Sequence, residues 1–225
     1  MQARFDSAIS DLGRWRGMLA PLLADLRLRP PRRPMSELIK AMISGRTLDA
    51  DSQAAYDAIV CRFVSIRQLA CAAPDEIEAV IARVNYAPIK AEWMARTLRI
   101  IGRDRPDYRL EFLGGVPLAE ALVYLEQLPG IRRKVAASVL NASTLRRSVF
   151  IVDTHVRRVL RRLRYVRRNA DYCEASEAVT ADLRDWSGED LLLLHIAMKR
   201  LGQRHCHERA PDCRACPLRR ECPGA

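Results

Sequence analysis

The sequence predicts an all-α fold on three observations. Apolar residues recur at helical rather than alternating spacing in almost every ordered stretch. Proline, glycine and acidic residues punctuate those stretches at helix-like lengths. No segment makes a convincing sheet, and there is neither a repeat of fixed period nor a low-complexity tract. With 225 residues, 49% hydrophobic and 6% aromatic, the chain can bury one sizeable core or two modest ones.

Taken in order, residues 6–28 read as one helix or two short ones, ended by "RPPRRP", whose prolines cannot continue a helix and mark a boundary. Ser36 is the expected N-cap of "SELIKAMIS", and "DADSQAAYDAIVCRF" puts Ala55, Ile59 and Phe63 on one face. "APDEIEAVIARV" carries proline and acids in its first turn, "KAEWMARTLRIIG" is expected to end at its glycine, and "PLAEALVYLEQLPG" runs from Pro117 into a turn. This makes an array of five or six short helices. In "VFIVDTHVRRVLRRLRYV", Val156, Val159, Leu160 and Leu163 recur at i, i+3, i+4, i+7, with arginines over the other face, which is expected to be free for phosphate. "EASEAVTADLRDW" and "EDLLLLHIAMKRLG" add two more helices before a cysteine-rich tail.

Lysine and arginine outnumber acids 38 to 27, a net charge of +11 that suits a polyanionic partner, nucleic acid first. The excess is local: Arg146–Arg168 carries nine arginines against one acid, Asp153. No segment reaches the roughly 20 apolar residues of a membrane span, and the amino terminus, with acids and arginines among its apolar residues, is not a signal peptide. The expectation is a cytoplasmic protein whose seven cysteines are reduced.

Four of them, Cys206, Cys213, Cys216 and Cys222, have the spacing C-x6-C-x2-C-x5-C in a polar loop rich in arginine and proline. Such a cluster is a metal site, and binding can fold a tail with little apolar surface of its own. Zinc and a [4Fe-4S] cluster both take four thiolates, so the residues leave the two open. Cys61, Cys71 and Cys173 are expected to be isolated buried thiols.

In "LPGIRRKVAASVL", Leu128–Leu140, Pro129 breaks one helix, Gly130 supplies a positive-φ bend, Ile131 anchors the turn in the core, and a new helix begins. Backbone N–H groups at such a start can seat a phosphate whatever the sequence. The same residues also fit an ordinary helix–turn–helix connection. Lys134 fits a phosphate contact, and Asp153 before "THVRRVL" fits an N-cap.

Together these motifs resemble the endonuclease III branch of the helix-hairpin-helix DNA glycosylases. "LPGIRRKVAASVL" matches the hairpin and catalytic lysine, "VDTHVRRVLRRL" the catalytic aspartate, "LGQRHC" the approach to the tail, and "MISGRTLDADSQAAY" the early helix pair, so the resemblance covers roughly residues 36–222. It implies two helical domains flanking a DNA-binding cleft, a six-helix barrel over 34–147 carrying Lys134 and a cluster domain from 1–33 plus 148–225 carrying Asp153. It also implies a [4Fe-4S] cluster on the four cysteines rather than zinc, and a monomer acting at the nucleoid on double-stranded DNA with damaged bases or abasic sites.

The activity implied is excision of oxidised pyrimidines followed by strand cleavage. Lys134 would attack the sugar C1′, displace the base and form a Schiff base that undergoes β-elimination, with Asp153 stabilising positive charge on the sugar. Only a neutral amine attacks, and an ordinary lysine, with pKa about 10.4, is neutral in roughly one molecule per thousand near pH 7.4, so the site must lower it towards ~7 to 8. Arg132 and Arg133 would act in that direction. Gly130, Arg132, Arg133, Arg46, Tyr86 and His155 are the implied DNA contacts, Arg46 standing where a gap-filling glutamine is common and Tyr86 at the wedge.

Besides Arg46, the chain departs from the pattern at four further places. Arg132 replaces a second hairpin glycine, Ala87 and Pro88 stand where polar pocket residues are expected, Gln203 replaces an arginine, and the lysine–aspartate interval is one residue longer. Two other readings therefore remain: a weak or inactive paralogue that binds damaged or abasic DNA, and a zinc-dependent DNA-binding regulator.

Overall fold

The computed structural model describes residues 3–225, with side chains from Asp11 onward. The described residues are helical and contain no strand. The helices are α1 (Ala3–Leu19), α2 (Pro34–Ser44), α3 (Asp49–Arg62), α4 (Ile66–Cys71), α5 (Pro74–Val80), α6 (Ala87–Asp104), α7 (Leu118–Glu126), α8 (Arg133–Ala142), α9 (Thr154–Arg162), α10 (Tyr172–Asp182) and α11 (Gly188–Arg204). They form two compact units, one of the described residues up to Pro30 with Arg146–Ala225, the other of Pro31–Leu145. No helix among the described residues is long and apolar enough to cross a membrane.

In the second unit α2 packs on α3, α6 and α8. Leu38, Ile39 and Ile43 give it a buried stripe, and α8 meets it with Ala136, Ala137 and Leu140, all fully enclosed. Small side chains here let the helices approach closely. Each buried leucine or isoleucine contributes about 1.5–3 kcal/mol. In the first unit Leu12, Trp15, Leu19 and Leu22 pack with Phe150, Val156, Val159, Leu160, Leu194 and Met198, and Leu218 of the tail joins them.

The structure corrects several local expectations. Helix α2 starts at Pro34, so Ser36 lies inside it rather than capping it; proline needs no N–H in a first turn. Helix α6 runs through Gly102 to Asp104, and a side chain at 102 would strike the Tyr108 ring, so the glycine serves a close approach rather than a stop. Seven helices, not five or six, lie between 34 and 142 among the described residues; α4, capped by Ser65 accepting from Gln68 N–H, is too short for a periodic signal. Cys61 and Cys71 are exposed and Cys173 half-buried, not core thiols. They sit at helix ends or outer faces, where periodicity over a few residues does not fix the buried side.

Candidate functional site

The hairpin joins α7 to α8. The Ile131 N–H donates to the Leu128 carbonyl at 3.1 Å around Pro129 and Gly130, and Gly130 has φ +74°, with its Cβ position 2.6 Å from the Trp93 ring. Thr97 of α6, fully buried, donates to the Pro129 carbonyl at 2.9 Å, and Ile131 is enclosed in the core. Arg132 is exposed. Arg133 differs from its expected role: it is ion-paired with Glu126 across the turn, with a side chain 10% exposed, so it ties the hairpin together instead of standing open to phosphate.

Lys134, in the first turn of α8, points at the end of α2. Its Nζ donates to Ser44 Oγ at 2.7 Å; Ser44 in turn donates to the Ala41 carbonyl at 2.9 Å, which leaves its lone pairs to receive the amine. Two more lysines lie near enough to feel the Lys134 charge. Lys40 Nζ donates to Ser52 Oγ at 2.9 Å. Lys90, 7% exposed, donates to the Ile43 and Gly45 carbonyls at 3.0 and 2.6 Å and to Thr47 Oγ1 at 3.3 Å. Burial first, and the Lys134 charge second, push each of these amines down to about 8. Glu37, 9% exposed and 3.3 Å from Arg32, is pushed up by burial.

Beyond the end of α2, Arg46 and Tyr86 both adopt positive φ, 54° and 62°. Asn85 Nδ2 donates to the Arg46 carbonyl, and the Arg46 guanidinium lies 5.9 Å over the Tyr86 ring. Both residues are exposed, Tyr86 at 59%. Ala87 is buried and Pro88 exposed. Left-handed backbone at two non-glycine residues in contact is strain that the surrounding hydrogen bonds must hold.

In the first unit Asp153 caps α9, its Oδ1 accepting from the Val156 N–H at 2.8 Å. Burial pushes its carboxyl up, but His195, the Val156 N–H, Lys199 and His155 outweigh this and hold it below the usual carboxylate range. His195 is 9% exposed, with Nδ1 2.8 Å from the Ile151 carbonyl, which fixes that nitrogen as a donor. His155 packs on Gly202, and its Nδ1 lies 3.1 Å from Arg158 Nη2.

The four tail cysteines are half-buried and line one pocket with Arg162 and His205. Among the described residues no three or more His, Cys, Asp or Glu side chains close around a single ion. Arg162 donates to Cys206 Sγ at 3.2 Å and to the His207 and Glu208 carbonyls at 2.6 and 2.8 Å, while Arg158 donates to the Cys206 and Gly202 carbonyls at 2.7 and 2.8 Å. Arg157 reaches the Ala170 carbonyl and stacks over Tyr172. These three α9 arginines thus serve the fold, contrary to the expectation of a wholly open basic face, whereas Arg164 and Arg168, beyond the end of α9, are exposed.

The sequence reading missed Ser44, Lys40, Lys90, His195, Arg158 and Arg162. The signal available for two of them was a lysine inside an apolar helical run, in "ELIKAMI" and "APIKA". For the others the partners are too distant in sequence to show any pattern.

Comparison with known proteins places this geometry. A family model described as HhH-GPD superfamily base excision DNA repair protein matches residues 39–185. Endonuclease III of Thermotoga maritima is 30% identical over 212 residues, 91% of this chain and 92% of that protein; endonuclease III-like protein 1 of Gallus gallus is 26% identical over 190 residues, 84% and 63%. Among solved structures, a trapped endonuclease III–DNA covalent intermediate matches with TM-score 0.78 at 22% identity over 96% of each chain. A thermostable thymine-DNA glycosylase matches at 0.76 and 17% over 96% of each. At these identities the structural likeness is one of fold.

Proposed function

The chain belongs to the HhH-GPD superfamily of base excision DNA repair proteins, and from that membership we propose a DNA glycosylase and abasic-site lyase that works through Lys134. The single observation that carries the reading is the Lys134 amine resting on Ser44, in the first turn of the helix after the hairpin.

A base inside the duplex must first be extruded, at a cost of a few kcal/mol that is least for a damaged or mispaired base. The exposed Arg46–Tyr86 pair is suited to fill the gap, since a guanidinium on an aromatic ring presents both a stacking face and hydrogen-bond donors. The Lys134 lone pair then forms a bond to C1′ as the glycosidic bond breaks, the departing base taking the electron pair of that broken bond and a proton; the nitrogen then loses a proton and its lone pair opens the ring, the C1′–O4′ bond breaking and O4′ taking a proton. The resulting iminium acidifies the C2′ hydrogen, and its removal expels the 3′ phosphate. Asp153, held ionised, stabilises the positive sugar. Oxidised pyrimidines are the lesion class this reading favours.

Cys206, Cys213, Cys216 and Cys222 would hold the [4Fe-4S] cluster that family membership favours over zinc. The donor set fits: four thiols share one pocket, and Arg162 donates to the Cys206 sulfur, a contact that suits a thiolate. The cluster supplies cross-linking that folds the tail onto α9. Iron and acid-labile sulfide, with zinc absent, are the expected analysis; zinc alone would overturn this assignment.

Borohydride trapping on a duplex with one abasic site tests the lyase. The protein is expected to form a covalent adduct and Lys134→Ala to form none. An adduct that persists in the variant, or is missing from the parent protein, defeats the assignment. A second reading, binding of damaged DNA without turnover, is favoured by Ala87 and Pro88 in the pocket segment; it predicts tight abasic-site binding with no adduct.

A further inference from the structure

Of the 38 basic residues only four are lysines, at 40, 90, 134 and 199, so where lysine appears this chain has declined its usual cation. Arginine stays charged at any working pH, whereas a lysine can be brought to lose its proton. Two of the four meet the C-terminal turn of α2, and Lys40, on α2 itself, reaches the start of α3 and feels the Lys134 charge.

We propose that Lys40 is a positioning residue for the Lys134 amine: a cation fixed on Ser52, one helical turn before Ser44, that disfavours a second positive charge and keeps the attacking lone pair available. This rests on the reading of Lys134 as nucleophile and concerns how that nucleophile is made ready.

The geometry is direct. Lys40 and Ser44 stand at i and i+4 and so share a face of α2. Each amine is received by a hydroxyl whose own hydrogen is already directed to a backbone carbonyl, Ser52 to Asp49 at 3.1 Å and Ser44 to Ala41 at 2.9 Å. Both amines are therefore held as donors at fixed points, Lys134 on Ser44 at the end of α2 and Lys40 on Ser52 in the first turn of α3. The repulsion that helps push Lys40 down to about 8 acts equally on Lys134, because the interaction is mutual.

Other charges flank the pair. Arg32 offsets Glu37, and burial pushes the Glu37 carboxyl up; Arg133 holds Glu126; Asp49 draws Lys40 upward, but as a lesser influence than burial and Lys134. Lys90 adds a third cation from α6. It is the poorer candidate for a tuning role, because its amine closes the end of α2 through two carbonyls and Thr47, so that replacing it exposes backbone.

With four lysines, the cluster-loaded protein labelled with 13C at lysine Cε gives few enough signals to follow each through a pH titration, Lys134 being identified by its loss in Lys134→Arg. In Lys40→Met the Lys134 midpoint is expected to rise by about one pH unit. In Lys40→Arg, which keeps the charge, it is expected to stay at or below that of the parent protein. The pH profile of single-turnover borohydride trapping should move the same way. Lys40→Gln provides the neutral side chain should the methionine variant fail to fold. A Lys134 midpoint that is unmoved or lowered in a folded neutral variant overturns the proposal. Trapping absent from the parent protein while the midpoint still shifts removes the nucleophile reading and leaves the electrostatic link standing; trapping present with an unmoved midpoint removes the link alone.

Discussion

Gly130 shows how much of the site a single backbone angle decides. Its φ of +74° is open to glycine and costly for other residues, and an added Cβ would lie 2.6 Å from the Trp93 ring. Gly130→Ala should therefore lower stability by on the order of 2 kcal/mol, read as a drop in the urea midpoint at unchanged slope. An unchanged midpoint would show that the hairpin shifts freely. Ser44 is the contrasting case. Ser44→Ala removes the acceptor of the Lys134 amine and should cost about 1 kcal/mol of stability, while slowing single-turnover trapping about tenfold as the amine samples other positions. A trapping rate equal to that of the parent protein would mean that Ser44 does not orient the nucleophile. At this scale the Gly130 bend was legible because a turn has local chemistry, whereas Lys134 was singled out by the family resemblance. Ser44 was not, since the hydrogen bond from Lys134 spans 90 residues; Lys40 and Lys90 showed only as lysines in apolar helical runs, and the partners of Lys90 lie more than 40 residues away.

The helices were legible where a stripe runs long enough to average out single residues. Val156, Val159, Leu160 and Leu163 are all buried as their spacing requires, whereas α4, six residues long, left no period to read. Asp153 caps the same helix α9 and is proposed to serve the sugar as well, and substitution separates the two roles. Asparagine caps about as well as aspartate, so Asp153→Asn should hold its melting temperature, while Asp153→Ala loses about 1 kcal/mol. Both should abolish excision if the charge is what serves the sugar; full activity in the asparagine variant would reduce Asp153 to a cap. The folded carboxyl is held below its ordinary value, so its stabilising contribution is present above the unfolded pKa of about 3.9 and is lost as pH falls through the lower folded value. Acid unfolding should therefore show the parent protein losing this contribution as pH falls below about 4, while Asp153→Asn, which has no charge to lose, does not.

For the whole molecule, periodicity yields helices but not which of them share a core. Arg14 meets Glu221 at 2.7 Å and Arg200 meets Asp25 at 2.6 Å, joining residues about two hundred positions apart that no local pattern connects. Charge has the same limit: the net +11 was plain in the sequence, but not which cations are already spent inside the fold. If binding to a duplex is driven by counterion release, log K falls with log salt by about 0.9 for each phosphate neutralised. Arg132 is exposed, and Arg132→Gln should make that slope shallower by roughly one contact. Arg162 is engaged with Cys206, His207 and Glu208, so Arg162→Gln should leave the slope where it was and instead hasten loss of the proposed cluster's iron to a chelator. Fluorescence anisotropy titrations at several salt concentrations, set beside chelation kinetics, distinguish the two. If Arg162→Gln flattens the slope while Arg132→Gln does not, the division drawn here between structural and DNA-facing arginines is reversed.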